Sequence, residues 1–329
     1  MRDGTTAGDS AAAVRRVVPG ADGRGRERRV STDQANLSVA VDERWLVKWL
    51  RTPLAPADLV ILERLREVGF AHMPAYAGAL VEDGVVRALV HELVVGATDG
   101  WQWYVDDVLA WLDGAMGMEP LVATAASMGT VTAELHHALA PAHEVRAPIT
   151  DLRTRIESLR ATAFAATDGE AGERLRARRD RIDAALAPLA DVGEVVVQAI
   201  HGDLHAGQFL RSPAEPARLL LTDFDGDPMV SSGARAVRQP VERDVAGLVQ
   251  SIDHVGRVAA RHRPAADVEP FIDAATDACL DAYRASHRLD EDLLRPLRVA
   301  QELHEYTYAA TRLPVWLYVP DAALRRLLP

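Results

Sequence analysis

Cysteine is almost missing from this chain: Cys279 is the only one in 329 residues. One thiol can form no intramolecular disulfide and no multi-cysteine metal site, which fits a reducing cytoplasm. Long apolar runs are lacking as well. Stretches such as Val195–Val197 and Leu219–Leu221 fall far short of a bilayer span. The start, Met1-Arg2-Asp3-Gly4-Thr5, has no apolar core of a signal peptide. Positive charge is in deficit, with 37 Lys+Arg against 48 Asp+Glu and a formal net charge of −11. Such a surface repels phosphate backbones and anionic lipid, so neither nucleic acid nor a membrane is an expected partner. A bound polyanion would need a local cation to hold it. Nothing in the pattern speaks to oligomeric state.

What is present is enough for folded cores: 48% hydrophobic and 26% charged residues, in a length that allows one large domain or two lobes. Residues 1–34 mix Gly20, Gly23 and Gly25 with arginines and no clear period, and read as a partly mobile start. Ser38–Val41 and Trp45–Leu50 read as two strands around a turn. A helix with Leu59, Leu62, Leu65 and Val68 follows and stops at Gly69. Tyr76–Val81 and Val85–Val90, joined by Glu82-Asp83-Gly84, read as two more strands. This predicts a β-rich lobe over 35–95 and a larger helical lobe over 96–329, an α+β organisation.

The stretch 101–190 reads as helical, with Leu121, Ala125, Met128, Thr132, Leu135 and Leu139 as one stripe and a break near Gly169 and Gly172. The arginines between Arg174 and Arg181 alternate with Glu173 and Asp180, so they mark a solvated helix face and not a nucleic-acid patch. His136 and His137 read as packing or surface residues. From Glu194 the character switches to a β-branched run over Glu194–Ile200. His201-Gly202-Asp203-Leu204-His205-Ala206-Gly207-Gln208 comes next. Phe209–Arg211 and Arg218–Leu221 form a hairpin that leads to Asp223-Phe224-Asp225-Gly226-Asp227-Pro228. After Pro240 the chain is helical again.

The chemistry lies in 198–228. Phosphoryl transfer needs an oriented acceptor hydroxyl, a carboxylate to take its proton, and metal ions on the phosphates. An Asp, an amide-bearing ligand five residues later and an Asp beyond a hairpin supply that set, here as Asp203, Gln208 and Asp223. Carboxylate and amide oxygens suit Mg²⁺. Taken singly the pieces are ambiguous: His201 and His205 could be a zinc pair, and Asp223–Asp227 a plain or calcium-like turn. The glycines argue against the helix that a zinc pair needs.

The string His201-Gly202-Asp203-Leu204-His205, with Gly207-Gln208 and Asp223-Phe224-Asp225-Gly226-Asp227-Pro228, resembles the aminoglycoside phosphotransferase-like kinases, close to maltokinases and actinobacterial glucosamine kinases. Lys48 within Leu46–Leu50, Ala97–Trp101, Arg243-Asp244-Val245-Ala246 and the group Glu305, Tyr308, Arg312, Pro314 and Trp316 extend the likeness over most of 35–329. The resemblance implies a two-lobed fold like that of eukaryotic protein kinases, with ATP and Mg²⁺ as cofactors. It implies Asp203 as base, Gln208 and Asp223 as metal ligands, and Lys48 on the phosphates. It further places Ser38, Glu63, His91 and Leu93 toward the nucleotide, and gives His201 and Asp244 a supporting role. No glycine-rich loop precedes Lys48, so Asn36-Leu37-Ser38 would have to cap the phosphates. The helix partner of Lys48 stays open between Glu63 and Val60.

A maltokinase would be expected to carry an added N-terminal cap, whereas the kinase lobe here is expected to start near residue 35. The smaller acceptor is therefore favoured: the γ-phosphoryl of ATP passing to the 6-hydroxyl of D-glucosamine. Asp203, His205, Asp225, Asp227, Glu302, Glu305, Tyr308 and Trp316 are the expected substrate residues, acidic groups suiting an ammonium and Trp316 a pyranose face. Each has a plain alternative as an ion pair or as core. Maltose, an aminoglycoside acceptor, and a nucleotide-binding pseudokinase remain the competing readings.

Overall fold

The computed structural model describes residues 9–21, 23–30, 36–224 and 238–329. The chain divides into two compact units, Met1–Thr98 with Phe209–Val237, and Asp99–Gln208 with Arg238–Pro329.

In the first unit, α1 (Ser10–Val17) starts where Asp9 accepts from the Ala12 N–H at 2.7 Å. Its small side chains Ala11 and Ala13, with Val14, let it pack closely on Val39, Val41, Val47 and Val90. The described part of the start therefore has regular structure. It is helix α1 followed by strand β1 (Glu27–Val30), and β1 pairs with β2 (Leu37–Val41). Next come β3 (Trp45–Leu54), α2 (Val60–Glu67), β4 (Tyr76–Glu82) and β5 (Val85–Glu92), giving an antiparallel sheet in the order β1-β2-β3-β5-β4. Two tight turns set its register: Asp42 and Glu43 have φ of 54° and 51°, Asp83 and Gly84 of 51° and 77°. Paired left-handed residues of this kind match the twist of the flanking strands.

The second unit opens with β6 (Thr98–Asp99), which straddles the division, then α3 (Gly100–Leu112) and α4 (Glu119–Leu139). The expected stripe of α4 is buried throughout, from Leu121 to Leu139. A short ladder of β7 (Arg146–Pro148) and β8 (Glu194–Val196) encloses α5 (Thr150–Ala166), α6 (Gly169–Ala177) and α7 (Arg179–Leu186) in sequence. The arginines here pair with acids, Arg160 with Asp183 and both Arg174 and Arg178 with Asp321. β8 ends at Val196, sooner than the β-branched run suggested. Beyond the Gln198–Gln239 bridge the backbone N–H groups of His201 and Gly202 go to a side chain instead of a strand.

The hairpin of β9 (Phe209–Arg211) and β10 (Leu219–Leu221) groups with the first unit. Leu221 N–H donates to the His72 carbonyl at 2.8 Å, and His72 Nδ1 lies 3.0 Å from the Leu219 carbonyl. The second unit ends with α8 (Glu242–His262), α9 (Glu269–Arg284), α10 (Glu291–Arg312) and α11 (Tyr318–Leu327). Among the described residues no helix is long and apolar enough to cross a membrane.

Candidate active site

The loop 201–208 of the second unit is held by helix α8. Asp244, 1% exposed, accepts from His201 N–H at 2.7 Å and from Gly202 N–H at 2.9 Å. Gly202 has φ of +85°, a conformation that costs glycine little and other residues more. Four residues on, Ala206 N–H donates to Ser251 Oγ at 2.8 Å, while the Ser251 hydroxyl donates to the Leu248 carbonyl. The Gln208 N–H closes a single turn onto the His205 carbonyl. Gly207 N–H donates to His205 Nδ1, and a Cβ at Gly207 would lie 2.8 Å from that ring. Asp203 therefore sits on a backbone tethered on both sides.

A second layer supports Asp244. His136 on α4 places Nε2 at 3.1 Å from Asp244 Oδ2 and Nδ1 at 2.8 Å from the Tyr283 hydroxyl. Burial opposes ionisation of Asp244. The His136 hydrogen bond and charge, the charge of His201 and the Gly202 N–H outweigh that and hold its carboxyl below the usual carboxylate range. Burial, reinforced by Glu242 and Asp244, pushes the Tyr283 phenol up. His136, read as a packing residue, is buried as such and also links α9 to the loop brace. His137 is exposed.

Gln208 is 7% exposed, with its Nε2 toward the Asp203 carbonyl and 3.1 Å from His205 Nε2. That orientation turns the amide oxygen away from those groups.

In the first unit, Lys48 is the only lysine of the chain; every other long-chain cation is arginine. It lies buried on β3, opposite Ser38 in the β2–β3 register, so the two side chains share a face. Its Nζ donates to Asp223. Asp223 has φ of +67°, rare for a non-glycine residue, in the segment that leaves β10. Glu63 stands on α2 beside Arg66. His91 faces Tyr76 with ring centroids 5.2 Å apart, and Leu93 N–H donates to the Arg44 carbonyl at 2.7 Å.

The expected substrate residues scatter. Asp225 and Asp227 lie outside the described residues. Glu302 is fully buried between α8 and α10, its Oε1 taken up by Gln250 and, at 2.9 Å, by His254 Nε2. A carboxylate so enclosed is out of reach of a dissolved sugar. Glu305 is half-buried and accepts from Gln301 at 3.0 Å, and Tyr308 is exposed. Trp316 packs on Trp101, ring centroids 5.3 Å apart, and the Trp101 side chain lies beside Gly207. Ser251, which holds the Ala206 N–H, carries no motif of its own; its spacing from Asp244 was the available signal.

Each of the two expected ligands is of a kind that suits Mg²⁺. In the first unit Asp223 offers a carboxylate that is two-fifths exposed, and in the second Gln208 offers an amide oxygen. Among the described residues no group of three His, Cys, Asp or Glu could hold a metal alone. Mg²⁺ usually takes only one or two protein oxygens and fills its shell with phosphate and water.

No protein-family model matches the chain. A glucosamine kinase of Streptacidiphilus jiangxiensis is 40% identical over 328 residues, covering 92% of this chain and 74% of that protein. A solved glucosamine kinase in complex with glucosamine, ADP and inorganic phosphate aligns with a TM-score of 0.81 at 37% identity, over 92% of this chain and 76% of its own. An aminoglycoside 2′-phosphotransferase IIIa variant, in its GDP complex, gives a TM-score of 0.55 at 16% identity over 97% and 95% of the two chains, a likeness of fold alone. The fold is that of the aminoglycoside phosphotransferase-like kinases, as the motifs implied.

Proposed function

The chain belongs to the glucosamine kinase family, and on that premise we propose that it passes the γ-phosphoryl group of ATP to the 6-hydroxyl of D-glucosamine through Asp203, with Lys48, Asp223 and Gln208 serving the nucleotide. Asp203 accepts the proton of the acceptor hydroxyl as its oxygen bonds to the γ-phosphorus. The bond from that phosphorus to the bridging oxygen breaks, and ADP leaves. Lys48 supplies a compact positive charge to the phosphates. A lysine kept where the chain otherwise uses arginine suits a buried point contact, since guanidinium is broad, planar and five-pronged. Asp223 and Gln208 would hold Mg²⁺, which when bound offsets phosphate charge. Ser38, on the face of Lys48, would donate to a phosphate oxygen, and Trp316 would stack on the sugar. The single buried, free thiol of Cys279 supports a cytoplasmic location for the protein.

The observation that carries this reading is the bracing of the Asp203 loop by buried Asp244, which fixes the base before any ligand arrives. A coupled ADP-release assay over glucosamine, glucose, maltose and kanamycin, with NMR of the product, tests it. Glucosamine 6-phosphate as the dominant product supports the proposal. Faster turnover of maltose or kanamycin overturns it.

A further inference from the structure

Helix α8 meets the 201–208 loop at three successive points, from residues spaced i, i+3 and i+7 along one of its faces. Asp244 takes the N–H groups of His201 and Gly202. Gly247 lies against the Leu204 carbonyl: a Cβ there would stand 2.5 Å from that oxygen, closer than real side chains come. Ser251, 3% exposed, accepts from Ala206 N–H and donates to the Leu248 carbonyl, so its hydroxyl has one orientation that satisfies both bonds. Asp203 lies between the first two points, and the turn ending in Gln208 begins at the third.

We propose that Gly247 and Ser251 are positioning residues: Gly247 sets the depth at which the loop seats behind Asp203, and Ser251 aims the turn that carries Gln208. The proposal rests on the assignment of Asp203 and Gln208 above. Neither residue touches substrate; each acts through the loop backbone. At Gly247, helix propensity favours alanine, so a glycine mid-helix is explained by the close approach and not by the helix.

The test compares Gly247→Ala, Ser251→Ala and Ser251→Thr with Gly256→Ala. In Gly256→Ala a Cβ on the same helix would meet the Ile272 side chain at 2.7 Å and disturb packing away from the loop. Each is measured for amide exchange over 201–208, kcat, melting temperature, and affinity for ADP with and without Mg²⁺. Ser251→Ala should speed exchange at Ala206 and lower kcat, each by about tenfold, and weaken Mg²⁺-dependent but not metal-free ADP binding by a similar factor. Ser251→Thr, which keeps the hydroxyl, should recover the protection at Ala206. Gly247→Ala should lower kcat by about a hundredfold with nucleotide affinity kept. Gly256→Ala should lower the melting temperature and leave kcat and loop exchange alone.

Loop exchange and kcat within twofold of the parent in both Gly247→Ala and Ser251→Ala would overturn the inference. If Gly247→Ala does not fold, the Ser251 pair decides. Asp203→Ala and Gln208→Ala run alongside: parent-like behaviour of those two sinks the assignment of the loop itself, whereas their failure with intact positioning variants sinks only this inference.

Discussion

The loop around Asp203 and the pair formed by Lys48 with Asp223 hold charged groups by opposite means. In the loop, backbone N–H groups of His201, Gly202 and Ala206 are taken up by side chains of one buried helix, and a further histidine and tyrosine stand behind the first of those. Around Lys48, a buried ammonium meets a half-exposed carboxylate on a strained residue. A buried charge needs a partner, and Asp223 supplies one. Nucleotide phosphates would relieve Asp223 of that task and free its carboxylate for a metal. On the proposed assignment, the base would be preorganised by backbone contacts, while Lys48 and Asp223 would hold one another until a nucleotide exchanges partners with them.

Substitutions should fall on the two sides differently. Asp203→Ala should lower kcat by about 10²–10⁴-fold with ADP affinity unchanged, read by steady-state kinetics and calorimetry, because base removal spares the nucleotide contacts. Asp244→Ala strips both the loop N–H groups and His136 of their acceptor. It should cost about 3–5 kcal/mol in denaturant unfolding, and a smaller loss would mean the brace is dispensable.

The buried His254–Glu302 pair of the second unit gives a pH test. Burial lowers the His254 pKa, but the charge and hydrogen bond of Glu302 overcome this and bring it up to about 9 from the usual 6.5. Burial likewise raises Glu302. A raised folded-state pKa means stability that is complete below about 6.5 and lost as pH climbs through about 9, by an amount on the order of 3 kcal/mol. Urea midpoints measured from pH 6 to 9.5 should fall, and His254→Gln should flatten the slope without touching the loop.

Smallest is Lys48→Arg, which keeps the charge but not its shape and should lower kcat/KM for ATP by about ten- to a hundredfold. Parent-like kinetics would mean that a point charge is not required there.

The hairpins were legible because Asp42-Glu43 and Asp83-Gly84 are local turn signals, and α4 because its stripe is periodic. The tight 201–208 loop was legible because Gly202 and Gly207 answer strictly local demands, a left-handed φ and a histidine ring against the backbone. Helix α1 was not legible, since its packing depends on a sheet its own residues do not announce. Glu302 was read by its type, an acid for an ammonium, but its place between Gln250 and His254 comes from how α8 and α10 meet.

Turn types, helix stripes, the order of Asp203, Gln208 and Asp223 and the retention of a single lysine are properties of short stretches, governed by local sterics and chemistry that any reader of the chain can apply. The groups that Asp244, Gly247 and Ser251 meet in the loop, and the partners of His136 and Glu302, lie tens of residues away or more in sequence, and which atoms met was settled by helix rotation and close packing. Packing is a many-body outcome with tolerances of a few tenths of an ångström, and no short window of sequence carries it.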